Sequence, residues 1–125
     1  MNTATLDAVG IAHRYIAVWN ETDEARRKRL LEADWAADAH YVDPLMQASG
    51  REQISALVGA VHLRYPGFRF NLIGTADAHG DNVRFSWTLG PSGAEDLIQG
   101  TDFVRLDGGK LRVVTGFLDK VPVGA

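Results

Sequence analysis

The sequence contains no cysteine, so disulfide bonds, thiolate nucleophiles and cysteine-ligated metals are excluded. It also lacks any apolar run near the roughly 20 residues that span a bilayer. Residues 1–20 carry no basic region followed by an apolar run, so we expect a cytoplasmic protein that enters no membrane. The 13 basic and 16 acidic side chains give a net charge of −3, which disfavours nucleic acid as a partner.

Length and composition indicate an ordinary globular domain. The 125 residues are enough for one hydrophobic core and too few for two, so residues 1–125 are predicted to form a single domain. Apolar residues make up 46% and charged residues 23%, and this balance excludes extensive disorder. The one basic cluster, residues 26–29, lies among acidic residues and predicts a solvated helix face.

The first half of the chain has the pattern of helices. Apolar residues recur there every three or four positions, which is typical of amphipathic helices. Ser49 and Glu52 fit a capping box at the start of the third helix. A short alternating segment, residues 39–43, precedes that helix and ends before Pro44, which favours extended backbone in the residue before it. The helices are predicted over residues 5–20, 22–36 and 49–65.

After Gly67 the pattern changes to the alternation of β-strands. Four strands are predicted over residues 68–72, 83–89, 97–106 and 111–117. Turns rich in glycine join them, which predicts an antiparallel meander. Helices followed by strands indicate an α+β domain, in which three N-terminal helices pack on a curved, mainly antiparallel sheet. Such a sheet forms a cone with an internal pocket.

Asp102 is an ionisable residue on the apolar side of its predicted strand. Side chains two apart share one face of a strand, so Asp102 faces the core together with Ile98 and Val104. Burying an unpaired charge is costly, and such a carboxyl group finds a partner or keeps its proton. Two explanations are open. Asp102 either bonds backbone amides in a bulged or edge strand, or it is a functional acid in a pocket.

Two further polar residues belong to the same interior. Tyr15 lies on the buried side of the first helix, and Asp43 ends the first strand. A carboxylate base, a protonated carboxyl group and a phenol suit proton abstraction next to a carbonyl, because the two donors can stabilise the enolate oxygen. Structural roles stay open as well. Tyr15 could bond only Asp102 or a carbonyl, and Asp43 could simply cap the loop at Pro44.

At these residues the chain resembles a known family. It resembles the bacterial ketosteroid isomerases and, more broadly, the SnoaL-like polyketide cyclases and the nuclear transport factor 2-like superfamily. The resemblance spans residues 6–121, and the order of helices and strands agrees with the α+β cone of that superfamily. The motifs that carry it are Arg14-Tyr15-Ile16, Asp43-Pro44, Gly50-Arg51-Glu52-Gln53-Ile54, and Asp102 followed by Arg105.

The resemblance implies cofactor-free proton transfer, by isomerisation or aldol-type cyclisation, on a small apolar carbonyl compound. By position, Asp43 would be the general base, Tyr15 the phenol donor and Asp102 the protonated donor. In the cyclases, the aspartate that matches Asp102 is itself the acid/base group. Trp35 and Val58 stand where the isomerases have supporting tyrosines. The alternative is a non-catalytic ligand-binding or dimerisation module of the same fold.

The aromatic residues suggest a flat apolar ligand, although aromatics at this spacing are also typical of a core. The histidines show no metal-ligand spacing, so we expect no metal site, and the resemblance implies that no cofactor is needed. Phe103, Val114 and Leu118 are predicted to face outward, where a homodimer would cover them. The predicted substrate-binding residues are Trp19, Trp35, Val58, His62, Phe85, Trp87 and Phe117.

Overall fold

The computed structural model of the protein describes residues 7–122, so Thr5, where the first helix was predicted to begin, lies outside the described residues. None of the helices in that range is long and apolar enough to cross a membrane. The helices are α1 (Ala8–Asn20), α2 (Glu24–Asp34) and α3 (Arg51–Arg64). The strands are β1 (Trp35–Val42), β2 (Gln47–Ser49), β3 (Arg69–His79), β4 (Asn82–Gly90), β5 (Ile98–Asp107) and β6 (Lys110–Lys120).

Aspartates cap the first two helices. The Asp7 carboxylate accepts a hydrogen bond from the Gly10 amide at 2.9 Å, and the Asp23 carboxylate accepts one from the Arg26 amide at 2.9 Å. These caps satisfy amides that have no partner in a first helical turn. The second helix is shorter than predicted, because the backbone is already extended at Trp35 and β1 begins there.

The predicted capping box at Ser49 and Glu52 is wrong. Gly50 is the N-cap of α3, and its φ of 83° is one that glycine adopts without strain. Ser49 ends β2, a strand that the sequence pattern did not indicate, and its hydroxyl group bonds His40 Nδ1 at 2.9 Å. The Ser49 amide donates to the Gln53 side chain instead.

The strands form one six-stranded sheet in the order β2-β1-β6-β5-β4-β3. Strands β3 to β6 are successive antiparallel neighbours, which confirms the predicted meander. β1 pairs with β6 in parallel and with β2 in antiparallel orientation. Three helices on a curved, mainly antiparallel sheet confirm the predicted α+β fold, and α1 packs across β3 and β4.

A bulge in β6 changes which of its side chains face the interior. Arg105 of β5 pairs with Val113, whereas the next residue, Leu106, pairs with Leu111. Arg112 is therefore an extra residue without a partner in β5. Because successive side chains of a strand point to opposite faces, one extra residue reverses the alternation of everything that follows.

This reversal corrects the predicted faces of β6. Val114 and Gly116 are buried and Leu118 lines the interior, whereas Phe117 is 51% exposed on the outer face. The prediction that Val114 and Leu118 face outward was wrong, and so was the placement of Phe117 in the pocket. Phe103, which precedes the bulge, is exposed on the outer face as predicted.

Arg27 departs from the predicted solvated face of the basic cluster. Its side chain is buried between α2 and α3, where Nε donates to Ser55 Oγ at 2.9 Å. Nη1 donates to the Glu21 carbonyl oxygen at 2.8 Å. Arg27 therefore joins the first two helices to the third, while the other members of the cluster are exposed.

Candidate functional site

A cavity of about 560 Å³ lies between the helices and the inner face of the sheet. Its volume is in the range of small-molecule pockets. Tyr15 and Asp102 are almost fully buried and form its closed end. Most of the wall is apolar, and it includes Trp19, Phe70, Trp87, Leu89, Ile98 and Leu118.

The first polar pair of the cavity joins α1 to β5. Tyr15 lies on the buried face of α1, and Asp102 lies on the inner face of β5, as the alternation predicted. The Tyr15 hydroxyl group donates a hydrogen bond to Asp102 Oδ2. Asp102 Oδ1 is buried and has no hydrogen-bond partner among residues 7–122. Asp102 thus bonds a phenol and not the backbone amides of a bulged strand.

Burial is the main influence on both groups of this pair. It raises the pKa of the Asp102 carboxyl group from 3.8 to about 6, although the Tyr15 hydrogen bond and the nearby indole N–H of Trp87, which forms no hydrogen bond of its own among the described residues, oppose the rise. Burial and the neighbouring Asp102 raise the pKa of Tyr15 well above 10.0. Asp102 is therefore protonated below about pH 6 and ionised above it, whereas Tyr15 keeps its proton.

The second polar pair lies at the end of β1. The Tyr41 hydroxyl group donates to Asp43 Oδ2 at 2.6 Å. Asp43 Oδ1 accepts from the amides of Leu45 and Met46 at 2.8 and 3.0 Å, so Asp43 does cap the loop that follows Pro44. Burial, followed by the charge of Asp102, raises the pKa of Tyr41.

Tyr41 was not among the predicted site residues. The signal was present, because Tyr41 stands two positions before Asp43 in an alternating segment and therefore shares its face. The isomerases have supporting tyrosines at the positions of Trp35 and Val58. Here the second phenol of the cavity comes from β1 instead.

The two pairs meet at Gly116. A Cβ atom at this position would lie 2.8 Å from Asp102 Oδ1, 3.3 Å from Asp43 Cβ and 3.5 Å from the Tyr41 hydroxyl oxygen. A separation of 2.8 Å is shorter than a carbon–oxygen van der Waals contact, so only glycine fits here without a shift of its neighbours. The inner face of β6 thus brings both carboxyl groups to one point in the cavity wall.

The predicted substrate-binding residues divide into three groups. Trp19 and Trp87 line the cavity. Trp35, Val58 and Phe85 do not line it, because they are fully buried in the core. Trp35 and Phe85 pack against the Tyr15 ring. The ring centroids of Tyr15 and Trp35 lie 5.7 Å apart, and those of Tyr15 and Phe85 lie 4.9 Å apart.

His62 and Phe117 lie elsewhere. His62 is half-buried on α3, and its Nε2 lies 2.6 Å from the Trp19 carbonyl oxygen, which holds α3 to α1. The bulge in β6 turns Phe117 to the outer face. Within residues 7–122 no three histidine or carboxylate side chains are placed to hold a metal ion.

Comparisons with known proteins agree with the fold and the resemblance. Residues 12–114 match the model of the SnoaL-like domain family. A presumed isomerase of the SnoaL-like family from Agrobacterium tumefaciens is 45% identical, with a TM-score of 0.86 over 90% of this chain and 97% of that one. No curated protein matches the chain.

More distant structures share the fold alone. A presumed ketosteroid isomerase from Kribbella flavida is 20% identical, with a TM-score of 0.69 over 94% of this chain and 82% of that one. A presumed SnoaL-like polyketide cyclase from Jannaschia is 13% identical, with a TM-score of 0.73 over 95% of this chain and 90% of that one. The family match over most of the chain decides the assignment: this protein belongs to the SnoaL-like family and has its nuclear transport factor 2-like cone fold.

Proposed function

We propose that the protein catalyses cofactor-free proton transfer on a small apolar carbonyl compound, by isomerisation or aldol-type cyclisation. One observation carries the proposal. Asp102 Oδ1 is a buried oxygen in the cavity wall with no partner among residues 7–122, close to the second carboxyl group of Asp43. A buried polar atom without a partner is costly, and a ligand group that bonds it removes that cost.

Asp102 is the proposed donor to the carbonyl oxygen of the substrate. The Tyr15 hydroxyl group occupies Oδ2, which leaves Oδ1 to hold a proton. Because Oδ1 has almost no exposed surface, it donates to a substrate oxygen after a small side-chain shift on ligand binding. An apolar ligand that displaces water from the cavity raises the pKa of Asp102 further and favours this protonated form. In this arrangement Tyr15 positions Asp102, since its own proton is engaged by that carboxyl group.

Asp43 is the proposed base. Each carboxylate oxygen has about two acceptor positions. The amides of Leu45 and Met46 fill those of Oδ1, whereas Tyr41 takes one position of Oδ2. The remaining position of Oδ2 can accept a proton from a substrate carbon. Tyr41 and the two amides hold the carboxylate in one orientation.

The proposed reaction begins when Asp43 removes a proton from the carbon next to the carbonyl. The electron pair of the broken C–H bond moves to form the C=C bond of an enolate, and the negative charge on its oxygen is stabilised by the hydrogen bond from Asp102. In an isomerisation of a β,γ-unsaturated ketone, the enolate is conjugated with that double bond, and Asp43 returns the proton to the far carbon as the double bond shifts toward the carbonyl. In an aldol-type cyclisation, the enolate carbon attacks a second carbonyl carbon of the same molecule, and the alkoxide formed there takes up the proton held by Asp43.

Exchange of the α-hydrogens of apolar cyclic ketones in D₂O tests this step without knowledge of the natural substrate. With α-tetralone and related ketones, the protein should accelerate exchange measured by proton NMR. Asp43→Asn should lower the rate by about a hundredfold to ten-thousandfold, because the amide cannot act as the base.

The matched control is Asp38→Asn, which removes the same charge from an exposed residue that pairs with Arg112. This variant should exchange at the wild-type rate and keep the wild-type fold by circular dichroism. Wild-type exchange rates in Asp43→Asn would contradict the proposal.

A non-catalytic ligand-binding module is the second candidate. It is favoured by the loop-capping bonds of Asp43, which explain that residue without any chemistry. Under this alternative the cavity binds apolar ketones, but no ketone shows protein-dependent exchange at any pH. Measuring binding and exchange on the same ketones separates the two candidates.

We also propose that the outer face of the sheet forms a homodimer. Ile73, Phe103, Val113 and Phe117 are exposed on that face, and the rings of Phe103 and Phe117 meet edge to face at 5.7 Å. Exposed apolar patches of this kind are typical of interfaces. Sedimentation equilibrium at micromolar concentration should give twice the mass of one chain, and a monomer mass would contradict this.

A further inference from the structure

The polar groups of the cavity differ between its two ends. The buried part of the cavity holds the carboxyl group of Asp102 and the phenols of Tyr15 and Tyr41, and the half-buried Asp43 lies beside them at Gly116. The mouth holds Arg64, an exposed residue at the end of α3. Among the described residues that line the cavity, Arg64 is the one cation. The cavity wall therefore carries carboxyl groups in its buried part and a cation on an exposed residue.

The guanidinium group of Arg64 has a free edge. Nε donates to the Tyr65 hydroxyl oxygen at 3.1 Å, and the guanidinium carbon lies 5.5 Å from the centre of the Tyr65 ring. Nη1 and Nη2 have no hydrogen bond or ion pair with any residue between positions 7 and 122. These two nitrogens form the planar fork that binds a carboxylate or sulfonate through two parallel hydrogen bonds.

The acidic end disfavours the opposite orientation of such a ligand. An anionic group inserted next to Asp43 and Asp102 would be repelled by like charge and would lose its water without gaining a cation. A neutral carbonyl oxygen at the same place can accept the proposed hydrogen bond from Asp102. Charge therefore favours entry of the neutral carbonyl end of an amphiphilic ligand over its anionic end.

We propose that the cavity selects molecules with an apolar body and an anionic group at one end, and that Arg64 binds this group at the mouth. The ligand class is thus an apolar carbonyl compound that carries a carboxylate or a similar anion distant from the reacting carbonyl. This inference rests on the proposed use of the cavity as a substrate site, but its test requires no turnover.

Two fluorescent dyes with nearly the same apolar body provide the test. Anilinonaphthalenesulfonate carries one negative charge, and N-phenylnaphthylamine is neutral. Both are titrated against the wild-type chain, Arg64→Gln and Arg29→Gln at low salt, and mutual displacement shows whether they share one site. Arg29 is an exposed arginine of α2 outside the cavity lining, so its variant loses the same charge.

Arg64→Gln should weaken binding of the sulfonate about twofold to fivefold, which is the range expected of an exposed ion pair. Its affinity for the neutral dye should stay at the wild-type value, and Arg29→Gln should bind both dyes like the wild type. The preference for the sulfonate should decrease at high salt.

The inference would be overturned if Arg64→Gln lost the same affinity for both dyes, or if it lost no affinity for the sulfonate. Failure of the wild-type chain to bind either dye would overturn it too. If Arg64 discriminates the dyes but no ketone undergoes exchange, the proposed chemistry fails and the charge selection stands.

Discussion

Two tyrosine–aspartate pairs meet at Gly116, and they are built from the same residue types in different surroundings. Asp102 is 1% exposed, its one described donor is Tyr15, and its second oxygen has no partner among residues 7–122. Asp43 is half-buried in a loop, and it accepts hydrogen bonds from Tyr41 and from two backbone amides.

The difference shows how one cavity can hold an acid and a base made from identical side chains. Removing water disfavours the charged form of a carboxyl group, and burial raises the pKa of Asp102 to about 6 for this reason. Backbone amides and a phenol that all donate to a carboxylate satisfy its charged form, which is the situation of Asp43. Burial and the number of donors, rather than residue type, are therefore what distinguishes the two proposed roles.

The largest effect is expected in the pH dependence of proton transfer. If Asp102 donates its proton to the substrate oxygen, the exchange rate of the wild-type protein at ketone concentrations far below saturation should fall as the pH rises through about 6, the pKa of Asp102 in the ligand-free chain. The protonated fraction falls about tenfold for each further pH unit. In Asp102→Asn the amide keeps an N–H donor at every pH, so this fall should disappear.

Exchange rates from pH 5 to pH 8 for both proteins measure this effect. A wild-type rate that stays level across that window would show that Asp102 acts without its proton. The two carboxyl groups would then not differ in role as proposed.

The next effect is on stability. The unfolded chain releases the Asp102 proton near pH 3.8, and the folded chain holds it to about pH 6, so the folded state binds more protons between these values. The stability contributed by this group is fully present below pH 3.8 and is lost as the pH rises to about 6, by about 3 kcal/mol in total.

Urea unfolding of the wild type and Asp102→Asn between pH 4.5 and pH 7.5 checks this prediction. Other carboxyl groups also titrate in that window, so the informative quantity is the difference between the two proteins. The free energy of unfolding of Asp102→Asn, relative to that of the wild type, should increase as the pH rises. A difference that does not vary with pH would contradict the raised pKa of Asp102.

The smallest effects should come from removing one phenol oxygen from each pair. Tyr15→Phe removes the only described donor to a buried carboxyl group. The free energy of unfolding should therefore fall by about 1–3 kcal/mol at pH 7. The substitution should also raise the pKa of Asp102, because the Tyr15 hydrogen bond lowers it. Tyr41→Phe leaves Asp43 with two amide donors, so about 0.5–1.5 kcal/mol is expected.

The free energies of unfolding of the two variants, measured side by side, sharpen the comparison between the pairs. Tyr41→Phe serves as the matched control for Tyr15→Phe, since each loses one buried hydroxyl group. If Tyr41→Phe lost more unfolding free energy than Tyr15→Phe, Asp43 rather than Asp102 would be the carboxyl group that depends more on its phenol.

Much of the fold was predictable because local patterns report it directly. The change from a three- or four-residue period to strict alternation after Gly67 predicted helices followed by a meander, and both are present. The inward direction of Asp102 followed from the same alternation, since the alternating burial of β5 is unbroken from Ile98 to Val104.

The predictions that were wrong depended on local backbone geometry that residue patterns do not show. A single extra residue, Arg112, reversed the faces of the last strand and moved Phe117 from the pocket to the outer surface. Gly50 took the capping position that Ser49 was predicted to hold. Neither event leaves a periodic signal, because each concerns one residue.

The sequence by itself determined the class of fold, the family and the presence of an ionisable side chain on the core side of a strand. These follow from periodicity and from short motifs, which are properties of neighbouring residues. Only the tertiary structure decided which groups meet. Tyr15, Tyr41, Asp43 and Asp102 come from α1, β1, the loop after it and β5, and the glycine of β6 leaves the space in which they converge. Long-range packing sets those distances, and with them the burial that raises the pKa of Asp102.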